Sequence, residues 1–285
     1  MQTSANNNLD PQVARGFGRE WSTFRQDTDH LSPQQRQEIF DDYFRIFPWH
    51  LLPSDGVGID VGCGTGRWSM LVSPRVGHLH LLDASAEALA VAKQNLSFAK
   101  NVSFHADSVA RIPLPANSLD FAYSLGVLHH VPDTQAAIAV IADKLKPGAP
   151  FLVYLYYALD NRPTWYRALW RMTNLARLVI SRLPHPLRLM VSQAIAALVY
   201  WPLSRGARLL SRFGPSARFL PLAYYADKSF YVMRTDAYDR FCTRLEKRFA
   251  RGEIEHMLNL AGFVNVQFSN NAPFWCAVGI KSAAK

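Results

Sequence analysis

The chain has 285 residues with a net charge of +9; 49% of them are hydrophobic and 19% are charged. This balance excludes a disordered or collagen-like chain, and the length allows a large core to be buried without disulfides. Because the three cysteines (Cys63, Cys242 and Cys276) are few and widely spaced, and residues 1–20 lack a signal-peptide pattern, we expect a cytoplasmic protein without a paired-cysteine zinc site.

The predicted elements begin with an N-terminal helical cap over residues 1–50. Ser32 has the pattern of a helix N-cap, Pro33 suits the first helical position, and Gln35 completes a capping box. A helix should therefore run from Ser32 to about Ile46, before Pro48.

From residue 57 onward, short apolar runs alternate with helical patterns. The predicted strands are 57–61, 78–83, 102–107, 119–125 and 150–157, with 263–269 and 274–280 as a closing antiparallel pair, and the predicted helices are 86–98, 133–145 and 253–260. Such alternation predicts an α/β fold in which helices cover both faces of a mostly parallel sheet.

A glycine-rich turn follows the first predicted strand, in the sequence IDVGCGTGRW. Gly62, Gly64 and Gly66 would let the backbone turn sharply and approach a ligand. Asp83 ends the second strand, about where dinucleotide-binding folds place the carboxylate that binds ribose, so a nicotinamide cofactor is the first competitor. Arg67 opposes it, because that fold needs a small residue there, and Asp60 opposes it, because a carboxylate repels a pyrophosphate but accepts a sulfonium.

These residues resemble a known family. DVGCGTG resembles motif I of the class I S-adenosylmethionine (SAM)-dependent methyltransferases, and LHHVPD, LKPGAPFLVY and AGFVNVQF resemble later family segments, with LHHVPD typical of a subgroup acting on small molecules or lipids. The resemblance covers about 17–158 and 227–280, including FGREWSTF (17–24), which is similar to a segment that closes over the cofactor. It implies a Rossmann-like seven-stranded methyltransferase sheet with SAM as cofactor.

The resemblance also implies which residues bind the cofactor. Asp83 would bind the ribose hydroxyls, Asp107 and Ser108 the adenine, and the loop amides the methionine carboxylate. The complete expected set is Asp60, Gly62, Cys63, Gly64, Thr65, Gly66, Asp83, Ala84, Asp107, Ser108 and Leu125. No cluster of potential ligands has metal-binding spacing, so no metal is expected.

Two histidines are the candidate catalytic residues. Methyl transfer needs alignment and a dry site, and an oxygen or nitrogen acceptor also needs a general base. His129 and His130 follow the fourth strand, at the edge where open α/β sheets bind ligands, and His130 is the favoured base. The alternative is that LHHVPD only begins a helix, with one histidine packed behind the site.

Residues 160–226 interrupt the methyltransferase pattern, so 51–159 and 227–285 would form the SAM-binding domain around a helical insertion. Residues 161–226 contain ten arginines and no lysine, aspartate or glutamate. Apolar residues form one helical stripe (Trp165, Leu169, Met172, Ala176 and Val179), whereas Tyr200, Trp201 and Arg205 resemble interfacial anchors. Pro202 should interrupt the uncharged run around them.

Three interpretations of the insertion stay open: a lid over the acceptor pocket, a peripheral contact with the membrane, or an RNA-binding face. The first two favour a small or lipid-linked acceptor, methylated on oxygen, nitrogen or carbon. An RNA methyltransferase and a non-catalytic SAM-binding scaffold are the alternatives, and nucleic acid is disfavoured because arginines alternate with large aliphatic residues.

Overall fold

The computed structural model describes residues 8–14, 16, 32–212 and 220–283. Its centre is a seven-stranded sheet in the order β3-β2-β1-β4-β5-β7-β6. The strands are β1 Val57–Val61, β2 His78–Asp83, β3 Val102–Ala106, β4 Phe121–Leu125, β5 Pro150–Tyr154, β6 Phe263–Phe268 and β7 Ala277–Lys281. β1 to β5 are parallel, and β7 is antiparallel to both β5 and β6, so the predicted closing pair is present.

Helices cover both faces of this sheet. They are α1 Pro33–Phe44, α2 Ser69–Val72, α3 Ala86–Asn95, α4 Thr134–Lys144 and α9 Arg251–Leu260, and the helices between α4 and α9 lie within residues 161–244 and are described below. The predicted capping box begins α1, where the Ser32 Oγ accepts from the Gln35 backbone N–H at 3.1 Å and the Gln35 side chain accepts from the Ser32 N–H. The segment 17–24 lies outside the described residues.

The strand pleat divides the buried side chains between two cores. Ile59 and Val61 of β1 pack with α4 and α9 on one face. Leu79 and Leu81 of β2 pack with α1 and α3 on the other. Alternate side chains of each strand therefore pack against helices on opposite faces of the sheet. The loops that follow the carboxyl ends of β1, β2 and β4 carry expected ligand-binding residues.

The chain divides into two compact units, residues 1–160 with 245–285, and residues 161–244. The second unit is longer than the predicted insertion, because α8 (Phe230–Cys242) belongs to it rather than to the sheet unit. Sequence 227–244 offered no apolar run that would separate it from the SAM-binding domain. The return to the sheet unit comes at residue 245 instead of 227.

The second unit is helical, with α5 at Thr164–Ile180, α6 at His185–Ile195 and α7 at Trp201–Leu210. A wide helical turn, Ala196–Tyr200, joins α6 to α7. Pro202 therefore does not end the helix as expected, because it directly follows the wide turn, a local change of helical hydrogen bonding that can accommodate a residue without a backbone N–H.

Arginines of the second unit are partly structural. Arg177 is buried, and its Nη1 donates to the Thr243 carbonyl at 2.8 Å. Arg188 donates to the Cys242 carbonyl at 3.1 Å, and Arg205 to the Ala226 carbonyl at 2.8 Å. Of the three expected interfacial anchors, Arg205 is thus engaged inside the unit and Tyr200 is buried, which leaves Trp201 exposed.

Candidate functional site

The glycine-rich turn follows β1 and is held against the end of β2. The backbone N–H groups of Gly62 and Cys63 both donate to the Leu82 carbonyl, at 2.7 and 3.1 Å. Gly62 has φ +79°, and a Cβ there would lie 2.4 Å from Val127. Only glycine fits this position, because any side chain would be strained and would collide with the loop after β4.

Asp83 ties the turn to the end of β2. Its Oδ2 accepts from the Gly64 N–H and its Oδ1 from the Ser85 N–H, each at 2.8 Å. Burial raises the pKa of this carboxyl, whereas the two backbone hydrogen bonds lower it. A carboxylate oxygen can accept more than one hydrogen bond, so Asp83 can hold the loop and still accept from the hydroxyls of a ribose.

Asp60 has a different place from the one expected. It is 1% exposed and does not line the cavity described below, because alternation along β1 directs it into the core. The Ser69 hydroxyl donates to its Oδ2 at 2.6 Å. Burial raises the pKa of Asp60 to about 7, against hydrogen bonds from Ser69 and Tyr123 that lower it. Asp60 is therefore partly protonated at neutral pH, and it repels a pyrophosphate less than we expected from the sequence.

Asp107 and Ser108 follow β3 and face the same space. The Asp107 Oδ1 accepts from the Ser108 N–H at 2.7 Å and from the Arg111 Nε at 2.9 Å. The Ser108 hydroxyl is buried and has no hydrogen-bond partner. Because buried polar atoms are normally paired, this hydroxyl indicates a ligand that supplies a partner.

The two candidate catalytic histidines are not equivalent. His129 is fully buried, stacks on Tyr156 with ring centroids 3.8 Å apart, and does not line the cavity. Burial holds its pKa well below the usual range, with smaller contributions from His130 and Arg248. His130 does line the cavity, and its Nδ1 lies 2.6 Å from the Leu245 carbonyl.

A segment that the sequence did not identify, 245–249, supports both histidines. The Lys247 N–H donates to the His129 carbonyl at 3.1 Å, and the Phe249 N–H donates to the Tyr156 carbonyl at 2.9 Å. The segment thus continues the edge of the sheet beyond β5 and supplies the Leu245 carbonyl that orients His130. These partners are more than 90 residues apart in the chain, and no local pattern connects them.

The glycine turn, Asp83, Ser108 and His130 surround one cavity with about 1000 Å³ of space, including its open mouth. Of the expected residues, those that line it are Gly62, Cys63, Gly64, Thr65, Asp83, Ala84, Asp107, Ser108, Leu125 and His130. Asp60, Gly66 and His129 do not line it. Gly66 instead supports the turn from behind, where a Cβ would lie 2.6 Å from Leu96.

Five residues near the start of the chain also line the cavity, which we did not expect from the sequence: Asn8, Leu9, Asp10, Val13 and Ala14. Asn8 Nδ2 donates to the Asp133 carbonyl at 2.6 Å, and Asn8 Oδ1 accepts from the Asp133 N–H at 2.7 Å. Val13 is buried at the cavity wall. The available signal was Asp10 before Pro11, a helix-start pattern that the Asp10 side chain satisfies by accepting from the Gln12 N–H at 2.8 Å.

Residues 59–148 match the family model of a methyltransferase domain. The chain is 30% identical to Methyltransferase nsrG of Aspergillus novofumigatus over 125 residues, 41% of this chain and 46% of that protein. It is 31% identical to Phosphoethanolamine N-methyltransferase 2 of Caenorhabditis elegans over 101 residues, 34% of this chain and 23% of that protein. The alignments thus span less than half of either relative.

A solved structure with a similar fold is a SAM-dependent methyltransferase from Thermotoga maritima, with a TM-score of 0.52. It is 12% identical, and the match covers 95% of this chain and 100% of that chain. This likeness confirms the predicted fold, a Rossmann-like methyltransferase sheet. The family match and the relatives support the predictions of a class I methyltransferase and of SAM as its cofactor.

The cavity fits that cofactor on three observations. The turn has no side chain at Gly62 and Gly64, so its backbone is open to a ligand. The Ser108 hydroxyl lacks a partner, and the Asp83 carboxyl can accept further hydrogen bonds. Within the described residues, no group of three or more His, Cys, Asp or Glu is arranged to hold a metal ion.

Proposed function

We propose that this chain is a SAM-dependent methyltransferase that acts on a small or lipid-linked metabolite, at an oxygen, nitrogen or carbon atom. The observation that carries the proposal is one cavity that combines the glycine turn, Asp83, the unpaired Ser108 hydroxyl and His130. A non-catalytic scaffold would need the first three features and would not need a histidine oriented at the cavity wall.

The chain's own residues would hold the cofactor at three points. Asp83 would accept from the ribose hydroxyls, Asp107 and Ser108 would bind the adenine, and the amides of the glycine turn would hold the methionine carboxylate. When bound, SAM supplies a methyl group on a positively charged sulfur. Leu125, Val127 and Val131 give the cavity an apolar wall that excludes water, which favours displacement at such a centre.

His130 is placed to act as a general base. A carbonyl oxygen can only accept, so the Nδ1 that lies 2.6 Å from the Leu245 carbonyl must carry the hydrogen. In the neutral ring the lone pair is then on Nε2, which can take a proton from an acceptor hydroxyl or amine. A carbon acceptor that is already nucleophilic would not need this step.

Calorimetry with the purified chain tests the cofactor assignment. SAM and S-adenosylhomocysteine should bind, whereas NAD and NADP should not; tighter binding of NAD than of SAM would refute the proposal. Transfer of a labelled methyl group to a fraction of a cell extract then separates an enzyme from a scaffold. Transfer only to the RNA fraction would favour the RNA methyltransferase.

We further propose that the second unit contacts a membrane peripherally and that the acceptor is therefore lipid-linked. The supporting observation is α5, whose apolar stripe is exposed while Arg177 and Ile180 are buried. Within the described residues, the helical stretch His185–Leu210 has the length and composition to cross a membrane, a criterion that core helices also meet. Its exposed apolar residues are Leu187, Met190, Leu198, Val199, Trp201, Leu203, Leu209 and Leu210.

The charges of α5 also suit a membrane surface. Arg167 and Arg171 are exposed and lie one turn apart on the side of α5 away from the apolar stripe. An interfacial helix buries its apolar face among acyl chains while arginines of its polar face extend to the headgroups. Each arginine near an anionic surface contributes about 1 kcal/mol, so two would raise binding to anionic vesicles roughly thirtyfold.

Vesicle co-sedimentation of the full chain tests this contact. The double variant Met172→Glu/Val179→Glu should bind phosphatidylglycerol-containing vesicles at least tenfold more weakly, because it places two charges in the apolar stripe. Both side chains are about two-thirds exposed, so the variant should still fold. Leu260→Glu is the matched control, since Leu260 is 64% exposed on α9. Arg167→Gln/Arg171→Gln should weaken only the salt-sensitive part of the binding. If wild-type protein sediments with neither anionic nor neutral vesicles, the lid is the better account.

A further inference from the structure

Arg36 of α1 is a mostly buried cation, and two of its three guanidinium nitrogens have no partner among the described residues. It is 9% exposed, and its Nε and Nη2 are buried and make no hydrogen bond. A guanidinium has five N–H donors, and proteins almost never bury one unless it is paired. Such an unpaired donor set is costly in the free protein, so a ligand that satisfies it would recover that cost.

Ring contacts show which way α1 runs across the sheet. Phe47 lies 6.1 Å from Phe121 at the start of β4 (ring centroids). Phe44 lies 5.3 Å from Tyr123, in the middle of the same strand. Between Phe47 and Phe44, the chain therefore moves from the start of β4 toward its middle.

The next contact brings α1 to the edge of the sheet. Tyr43 lies 5.2 Å from Tyr154, the last residue of β5. Arg36 precedes Tyr43 by seven residues, so it is on the same side of the helix and about 10 Å from Tyr43 along the helix axis. Beyond Tyr154, ring contacts continue through Tyr156, at 6.0 Å, to His130, which lies 5.6 Å from Tyr156.

We propose that Arg36 binds an oxyanion, a phosphate or carboxylate, of the methyl acceptor. This inference rests on the proposed function, because it assumes that the acceptor occupies the edge where His130 lies. A planar guanidinium binds a phosphate or carboxylate through two parallel hydrogen bonds, which gives orientation as well as affinity. An anion fixed by Arg36 at one end would direct the rest of the acceptor toward His130.

The test uses inorganic phosphate and acetate as probes on the full chain saturated with S-adenosylhomocysteine, at ionic strength held constant with chloride. Either probe should raise the Tm of the wild type in a saturable manner, and the stronger probe indicates the acceptor group. Arg36→Met should weaken this effect at least tenfold, and Arg36→Lys should keep part of it. Arg45→Met is the control, because Arg45 is exposed on the same helix and pairs with Asp42 at 2.6 Å.

Two further measurements distinguish binding from structure. Without a probe, Arg36→Met should have an unchanged or higher Tm, because it removes an unpaired buried charge; a fall of several degrees with unchanged phosphate binding would overturn the proposal. Affinity for S-adenosylhomocysteine should be unchanged; a tenfold loss would assign Arg36 to the cofactor instead. If the wild type does not bind S-adenosylhomocysteine, the proposed function fails, whereas phosphate binding without it still reports on Arg36.

Discussion

Replacing Asp60 with asparagine should stabilise the protein at alkaline pH and not at acid pH. The Asp60 carboxyl is buried behind the glycine turn, and its pKa is raised from 3.8 to about 7. The folded chain therefore keeps a proton that the unfolded chain has already released between these two pH values. The contribution of Asp60 to the free energy of unfolding is therefore largest below pH 3.8. It falls as the pH rises from 3.8 to about 7, and it does not fall further above that pH.

The size of the effect follows from the shift. Three pH units correspond to about 4 kcal/mol of unfolding free energy, and asparagine still accepts from the Ser69 hydroxyl. An amide hydrogen without an acceptor costs about 1–2 kcal/mol, so the net gain at pH 8 should be about 2–3 kcal/mol. For a sheet unit of this size, that gain raises the Tm by roughly 4–12 °C.

Thermal denaturation between pH 5 and 8 would measure the difference between Asp60→Asn and the wild type. The difference should grow by about 1.4 kcal/mol per pH unit up to pH 7 and then level off. Asp143→Asn is the control, because it makes the same substitution at a side chain that is 57% exposed on α4. A difference that does not change with pH would mean that Asp60 titrates normally and that the reasoning about its burial is wrong.

Two predictions concern the cavity. Asp83→Ala should weaken SAM binding in calorimetry by tenfold or more, because it removes the ribose acceptor and the hydrogen bond that holds the Gly64 N–H. Asp143→Ala is the control and should leave the affinity unchanged. If Asp83→Ala binds SAM as the wild type does, the cofactor lies elsewhere. His130→Ala should lower the methyl-transfer rate at saturating acceptor by about 10²–10⁴-fold with little change in SAM affinity, and an equal rate would leave His130 with a packing role only.

The fold could be predicted because its signals are local. The glycine turn, the strand alternation and the Ser32 capping box each depend on residues within a few positions of one another. The strand order then follows from the family resemblance. The shift of β5 from the predicted 150–157 to Pro150–Tyr154 has instead a long-range cause, because Tyr156 and Tyr157 pair with the segment 245–249 rather than with β7.

The site was predicted less completely because its second half depends on distant contacts. Leu245 orients His130 across 115 residues, and Asn8 reaches Asp133 across 125. Asp60 was misplaced for another reason: its position before the glycines indicated proximity to the ligand, whereas the pleat of β1 directs alternate residues to opposite faces. Strand alternation applied to residues 57–61 would have placed Asp60 with Gly58, on the face covered by α1.

Several polar groups buried in the sheet unit have no hydrogen-bond partner, and one of them lines the cavity. Ser108 keeps a buried hydroxyl unpaired, Arg36 keeps buried guanidinium nitrogens unpaired, and His129 keeps both ring nitrogens unpaired. Each of these arrangements destabilises the free chain, and selection for stability alone would replace the side chain with an apolar one. Ser108 lines the cavity, and His129 contacts His130, which also lines it. A chain that leaves the Ser108 hydroxyl unpaired at the cavity wall gives up stability where a ligand can restore it, which is the arrangement expected of a preorganised binding site.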